Sequence, residues 1–433
     1  MPTPSLILVP ARFKTGKLYT PLATTSGGVV LGASGDFNVT RATTATRVNA
    51  SGLIEVVASG IPRLDYPLGG GCPALLVEPA GTNLIVQSQN WLASGWRSDA
   101  TGFTITITGT TGTVDPLGTN TANAISPTSG SAVHLKVGND GSLSFTSGTI
   151  YTESAFFKQG TGNAGRYVQL TYPAGRFTQE GYANFDLQLG TVAVVSGTTA
   201  DSNRAASIEN YGNGWYRCRL TATCNNTGTG NGFTATLITA SGDTRAPSFA
   251  GTTTDVLYGW GAQTETGSIA TSYIPTTTAA ATRNAEVISV TGAVSGCIGQ
   301  SEGTIYLDAT YDAVGSTATV WFSVLGISNS IGLALGSLIR SIVNGQSDNL
   351  AGSPPDTSGI KIAWAYNASG VVCFINGTQY TLTNGGSQVI TQLNRVLIDM
   401  SSHANRLYDT RIRSLALYTT RLTNAELAAL TTL

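Results

Sequence analysis

The sequence predicts an all-β chain: a short irregular N-terminal module, then two antiparallel jelly-roll β-sandwiches, closed by one short C-terminal helix. Three observations carry this. Charged residues make up only 11% of the 433 residues, against roughly 25% in an average soluble protein. Runs of period-two alternation recur between Gly/Asn/Ser turns, as half-buried strands require. Helical periodicity is confined to the last ten or so residues.

The same composition excludes several classes. Lys+Arg is 23 and Asp+Glu is 24, and five lysines (Lys14, Lys17, Lys136, Lys158, Lys361) are present. So few cations cannot neutralise a run of phosphates, so no nucleic-acid partner is expected. Helical bundles and coiled coils need charged helix faces, which are missing. With 41% apolar residues and a net charge of -1, disorder is excluded. A surface of hydroxyls relies little on exposed ion pairs and should be weakly sensitive to salt. The five cysteines, Cys72, Cys218, Cys224, Cys297 and Cys373, are odd in number and irregularly spaced, so free thiols are expected rather than a disulfide framework. The start, MPTPSLILVPARFKTGK, has no basic region before its apolar stretch and is not read as a signal peptide. The uncharged run Thr317 to Ile339 carries Ser328-Asn329-Ser330 at its middle. It reads as two buried strands joined by a polar turn, not as a membrane span.

In chain order, residues 1–87 are turn-rich, with Pro62, Pro67, Pro73, Pro79 and Gly69-Gly70-Gly71. They hold a large share of the scarce charge, and are expected to gain order by packing on a partner or on copies of themselves. Residues 88–290 carry short alternating strands, such as Thr104 to Thr108 and Tyr216 to Thr221, spaced as in a sandwich. Residues 291–433 repeat the pattern. Asn376-Gly377 there is the strongest hairpin signal. Thr423-x-x-Glu426 before Leu427, Ala428, Ala429 and Leu430 is a capping box opening the helix.

The segment RATTATRVNASGLIEVVASGIPRLDYP through CPALLVEPAGTNLI, Arg41 to Ile85, resembles the N-terminal module of tailed-bacteriophage virion proteins of the tail-fibre or head-fibre type. Asn213-Gly214-Trp215-Tyr216-Arg217, Gly259 to Gln263 with Glu265, Thr271-Ser272-Tyr273-Ile274-Pro275 and Thr282-Arg283 resemble the carbohydrate-binding-module-like sandwich that follows it in such proteins. Ser301 to Tyr306, Val372-x-Phe374-x-Asn376-Gly377 and Arg421 to Leu427 are similar to concanavalin A-like or laminin-G-like sandwiches. The resemblance implies a non-enzymatic, homotrimeric virion component. It would contact other virion proteins through residues 1–87 and bind host-surface glycans. A tail-spike enzyme degrading polysaccharide, or a purely stabilising decoration protein, are the alternatives.

Among single residues, Trp91, Trp96, Trp215 and Trp260 are candidate glycan-stacking platforms, because an aromatic face covers the apolar side of a pyranose. A core role is the competing reading for Trp215 and Trp260 and is expected for Trp321 and Trp364. Arg41, Arg47, Arg63, Asp65 and Glu78 are expected at an oligomer or virion interface. Gly299-x-Ser301-x-Gly303 with Asp399 and His403 matches a nucleophile elbow in letters only, since a strand follows the serine where a helix is needed. No catalytic pair of carboxylates is legible, and Glu265 and Glu302 read as structural. Asp308, Asp312 and Asp348 are the acids a calcium ion could use, but no loop has EF-hand spacing. No metal site, no cofactor and no membrane insertion are expected.

Overall fold

The computed structural model describes residues 2–433 except 21, 26–27, 30–35, 98, 101–102, 109–111, 178–180, 197–203, 292–295, 313–318, 327–328, 336–338, 352–358 and 401–408. Strands dominate, in antiparallel sheets, and the one helix among the described residues is Asn424–Thr431. Its capping box forms: Thr423 Oγ1 accepts from Glu426 N, and Glu426 Oε2 accepts from Thr423 N. No helix among the described residues is long and apolar enough to cross a membrane.

One sandwich pairs a six-stranded sheet with a nine-stranded one. The first runs Trp96–Arg97, Leu135–Gly138, Phe233–Ile238, Tyr167–Thr171, Tyr182–Asp186, Thr191–Ser196. The centre of the second is Ala205–Gly212, Trp215–Thr223, Ile150–Gln159 and Leu257–Thr266. Period-two alternation decides what each strand buries. Phe233, Ala235 and Leu237 turn into the core with Val168, Leu170, Ala155, Phe157, Cys218 and Leu220. Thr234 and Thr236 consequently face the other way.

The second sandwich is not made from residues 291–433 alone. Strand Leu6–Leu8 lies between Asp409–Tyr418 and Leu22–Thr25, with Leu6 opposite Leu417 and Ala23. Ala74–Val77 extends the same C-terminal strand, Leu75 facing Ile412. On the opposing sheet Phe37–Thr40 pairs with Val287–Thr291, which pairs with Leu393–Asp399. Leu6, Leu8, Leu18, Phe37, Val39, Leu75 and Val77 accordingly share one core with Trp364, Ile398 and Leu415. Each fully buried leucine there contributes about 1.5–3 kcal/mol. The partner that the turn-rich N-terminal segment needs is therefore in its own chain. The expected boundaries at 87/88 and 290/291 shift, because residues 1–80 and 284–433 build a single base.

The first sandwich is inserted into that base. The chain leaves through Gly81–Asn83 and returns through Ala281–Arg283, and these strands pair with Gly81 opposite Arg283 and Asn83 opposite Ala281. Thr82 and Thr282 hydroxyls meet across the ribbon at 2.8 Å.

Other expectations hold locally. Asn376 and Gly377 adopt φ of 47° and 82°, the two positive values a type I′ turn requires, between Gly370–Ile375 and Thr378–Tyr380. The uncharged run becomes Thr319–Gly326 paired antiparallel with Ser330–Leu335. All five cysteines are free, Cys72 exposed and the others buried.

Candidate functional site

The charged residues of the N-terminal segment meet at the foot of the ribbon. Glu78 leaves the base just before the ribbon, and Glu286 re-enters just after it. Arg63 Nη1 lies 2.6 Å from Glu78 Oε2, and its Nη2 lies 2.7 Å from Glu286 Oε2. Arg283 Nη1 sits 2.9 Å from Glu78, and Arg41 Nη1 3.1 Å from Glu286. Ser272, from the inserted sandwich, donates its N–H and its hydroxyl to Glu78 at 2.7 and 2.6 Å. The three arginines, like the two glutamates they surround, are as buried as hydrophobic core. Burial opposes the charge on Glu78, but Arg283 and Arg63 outweigh it and hold the carboxyl well below the usual range. Burial likewise opposes the charge on Arg63, and Glu286 and Glu78 overcome it. On Arg41 burial prevails and lowers the guanidinium's pKa.

This corrects the interface expectation for Arg41, Arg47, Arg63, Asp65 and Glu78. Each is satisfied inside its own chain. Arg47 pairs with Glu55 at 3.0 Å, and Asp65 takes Arg411 Nε at 2.8 Å and the Val48 N–H at 2.7 Å. The insertion topology supplies the partners that the sequence alone assigns to another copy.

The four tryptophans are also enclosed. Trp91 and Trp96 stack at 4.9 Å with 13° between planes, and Trp91 Nε1 donates to Ser88 O at 2.9 Å. Gly259 exists to admit this ring: a Cβ there would lie 2.5 Å from Trp91 Cζ3. Trp215 and Trp260 sit on the outer face of the large sheet with Phe156, and Ile54 of the base covers them. Their indole N–H groups go to Val114 O at 2.8 Å and Thr121 Oγ1 at 3.0 Å. A face that could have stacked on sugar is occupied by the protein's own hairpin Ala45–Val48/Ile54–Val57. Stacking by these rings is thereby replaced by packing. Trp364 is buried as expected; the side chains of Trp321 and Asp312, and all of His403, lie outside the described residues.

Other acids are committed. Asp308 pairs with Arg413, and Asp348 accepts the N–H groups of Asn384 and Gly385 at 2.8 and 2.7 Å. Glu265 accepts from Gln263 and twice from Thr271, at 2.6 to 2.9 Å. No group of three metal-ligating side chains occurs among the described residues. Glu153 is the exception: it is buried in the inserted sandwich, and its oxygens approach the backbone of Thr171 and Thr234 without a well-formed hydrogen bond. Burial pushes its carboxyl well above the ordinary glutamate range. A raised carboxyl resembles a general acid, but this one faces core and has no second carboxylate across a cleft.

A polar cleft lies on the outer face of the six-stranded sheet. A cleft of about 180 Å³ is lined by Leu135, Thr171, Thr234, Thr236, Arg97 and Arg245, with Asn231 and Pro173 at its edge. Strand alternation places the three threonines there. The loop 240–247 is pinned over the sheet by Gln169, which donates to Thr244 O at 3.0 Å and accepts from Ala246 N at 2.7 Å. Arg97 is paired with Asp140 at 2.7 Å, and Arg245 donates to Tyr172 O at 3.1 Å. Thr236 Oγ1 is buried with no hydrogen-bond partner, an arrangement that costs about 1–3 kcal/mol unless something fills it. No Asp or Glu lines the cleft. A larger groove of about 280 Å³ is walled by Ala205, Ala206, Ile269 and Ala270, with its Arg219 held by Glu209 at 2.5 Å. It offers fewer directed polar groups. Sequence reasoning missed the cleft because it sought aromatic platforms. The legible signal was the Thr234-x-Thr236 alternation with Arg245 close behind.

The fold and cleft define an all-β protein of two nested sandwiches with a polar, cationic recess. No family model matches the chain, and no curated protein matches its sequence. Among solved structures the chain is similar in part to the Ruminococcus gnavus IT-sialidase CBM40 bound to α2,3-sialyllactose. The likeness is 14% identity and TM-score 0.25, over 31% of this chain and 84% of that one. It is similar to the binding domain of Paraclostridial Mosquitocidal Protein 1 at 11% identity and TM-score 0.27. It is also similar to the binding domain of Botulinum neurotoxin DC in complex with rat synaptotagmin II, at 9% and 0.27. Each of the latter two matches covers 34% of this chain and 40% of the other.

Proposed function

We propose that the chain is a non-enzymatic structural protein of a tailed-bacteriophage virion that presents its inserted sandwich to host-surface glycans. The observation that carries the glycan half is the cleft at Arg97 and Arg245. It has directed hydroxyls, two guanidiniums, of which Arg97 is already paired with Asp140, and no carboxylate in its lining, so it suits binding rather than hydrolysis, which needs a carboxylate pair. Guanidinium groups favour carboxylate partners, so a saccharide bearing an acidic group is the preferred ligand. The virion half rests on the resemblance of Arg41 to Ile85 and on the motif series after it. A homotrimer would multiply individually weak contacts into avidity.

The test is a glycan array probed with the labelled chain and with Arg245→Ala and Thr236→Val. Retention of acidic glycans by the parent, with at least a tenfold loss in either variant at unchanged Tm, is the expected result. Release of oligosaccharide from host polysaccharide would replace this reading with a tail-spike enzyme. Absence of any glycan binding, with location on particles, would leave a stabilising decoration protein.

A further inference from the structure

Directly behind the cleft, on the inner side of its sheet, sits the buried carboxyl of Glu153. The residue belongs to strand Ile150–Gln159 of the opposing sheet, where it lies between Leu220 and Thr264 of the two neighbouring strands. Its side chain turns into the sandwich, as do Tyr151, Ala155 and Phe157 at two-residue steps along the same strand. Glu153 is 1% exposed, and neither carboxyl oxygen has a well-formed hydrogen bond. Polar side chains close to it are committed elsewhere. Thr264 donates its hydroxyl to Gly232 O at 2.7 Å, and the Tyr172 hydroxyl is directed at Tyr151 O and Leu220 O, at 2.7 and 3.0 Å. What the carboxyl does approach is the backbone of Thr171 and Thr234, two residues that line the cleft.

Those two threonines occupy the position of the next rung between their strands. Tyr172 N–H goes to Gly181 O, and Leu237 N–H goes to His134 O, each toward the outer neighbour of its strand. Backbone groups of successive residues point to alternate sides of a strand, so the N–H and C=O of Thr171 and of Thr234 are directed toward each other's strand. The pairing between Tyr167–Thr171 and Phe233–Ile238 nevertheless stops at Leu170 opposite Ala235. An incomplete rung leaves buried backbone groups that need partners. A neutral carboxyl offers both a donor and an acceptor, and burial favours that neutral form. We propose that Glu153 is a positioning residue of the cleft: its carboxyl stands in for the incomplete rung, bridging Thr171 and Thr234 from behind and fixing the spacing of the strands that present the cleft's threonines. Its part in recognition rests on the glycan reading of the cleft; the bridge itself does not.

The experiment uses the full chain and two variants. Glu153→Leu keeps most of the bulk and removes both oxygens, whereas the amide of Glu153→Gln retains a donor and an acceptor. Hydrogen exchange is read at the Thr171 and Thr234 amides without ligand. Affinity is read with the acidic glycan that the parent retains best on the array. Glu153→Leu should speed exchange at both amides and weaken affinity at least tenfold, and Glu153→Gln should restore both to within twofold of the parent. A side chain that merely fills the core would shift Tm and leave these two amides and the affinity alone. Unchanged exchange or unchanged affinity in Glu153→Leu therefore overturns the proposal. A parent that binds no glycan while the exchange response stands overturns the glycan reading and supports the bridge. A crystal structure of the parent keeps the test independent of whether Glu153→Leu folds. Carboxyl oxygens within about 3 Å of both backbones are expected there, and a carboxyl turned away from both strands overturns the bridge.

Discussion

Arg63 and Glu286 meet at 2.7 Å although 223 residues separate them in sequence. The pair can form only after the inserted sandwich has been built and the chain has come back beside its point of departure. It therefore reports closure of the whole insertion. Both groups are buried, and Glu286 also serves Arg41 and the N–H of Glu78. Removing one partner from such a pair strands the other as a buried charge, at about 3–5 kcal/mol. Glu286→Gln should lower the calorimetric unfolding temperature by an amount in keeping with that loss. A variant as stable as the parent would show that the cluster is not what holds the ribbon's foot.

Two buried glutamates give opposite pH signatures. The native pKa of Glu78 is depressed, so its contribution is fully present above the ordinary glutamate range, about 4.3. It is lost as pH falls below that range toward the native value. The native pKa of Glu153 is raised. The folded chain keeps that proton where the unfolded chain releases it, so stability from this group falls as pH rises above about 4.3. The slope is about 1.4 kcal/mol per pH unit until the native carboxyl ionises. Glu153→Gln should remove this decline and make the protein more stable than the parent at neutral pH. Denaturant titrations at pH 5, 6 and 7 would reveal it, and parallel curves for parent and variant would refute it.

What the sequence made legible was local. Alternation at Tyr216 to Thr221, the Asn376-Gly377 turn and the Thr423/Glu426 capping box are set by residues within a few positions of each other, and each appears in the fold. The insertion was illegible because Leu6 against Leu417, and Gly81 against Arg283, are pairings of high sequence separation that no local pattern encodes. The same gap explains the sites. Arg63 and Glu78 do form an interface, but one between distant parts of a single chain. Trp215 and Trp260 occupy the outer face of a sheet, as a sugar platform would, and only the tertiary fold places Ile54 over them.

The nested topology makes the two sandwiches unequal as fragments. Residues 84–280 enclose a complete core, from Ile85 to Ala262, and should fold alone with a cooperative thermal transition. Residues 291–433 lack Leu6, Leu18, Phe37 and Val290, which belong to their core, and lose the strand that covers Asp409–Tyr418. That fragment should be unfolded or aggregated when expressed by itself. Circular dichroism melts of the two would decide the matter, and a cooperative melt from residues 291–433 would contradict the nested arrangement.

The tryptophans separate packing from recognition. Trp215 and Trp260 are 2% and 0% exposed, and their rings, with Phe156 and Tyr273, form the contact between inserted sandwich and base. Replacing either by alanine deletes a large buried ring and should cost about 3–5 kcal/mol. Because the cleft at Arg97 and Arg245 lies on the opposite sheet, glycan retention measured well below the variants' Tm should remain within twofold of the parent. A sugar platform would give the reverse pattern, with stability nearly unchanged and retention lost. Paired melts and binding isotherms of Trp215→Ala and Trp260→Ala therefore distinguish a ring that packs from one that stacks on ligand.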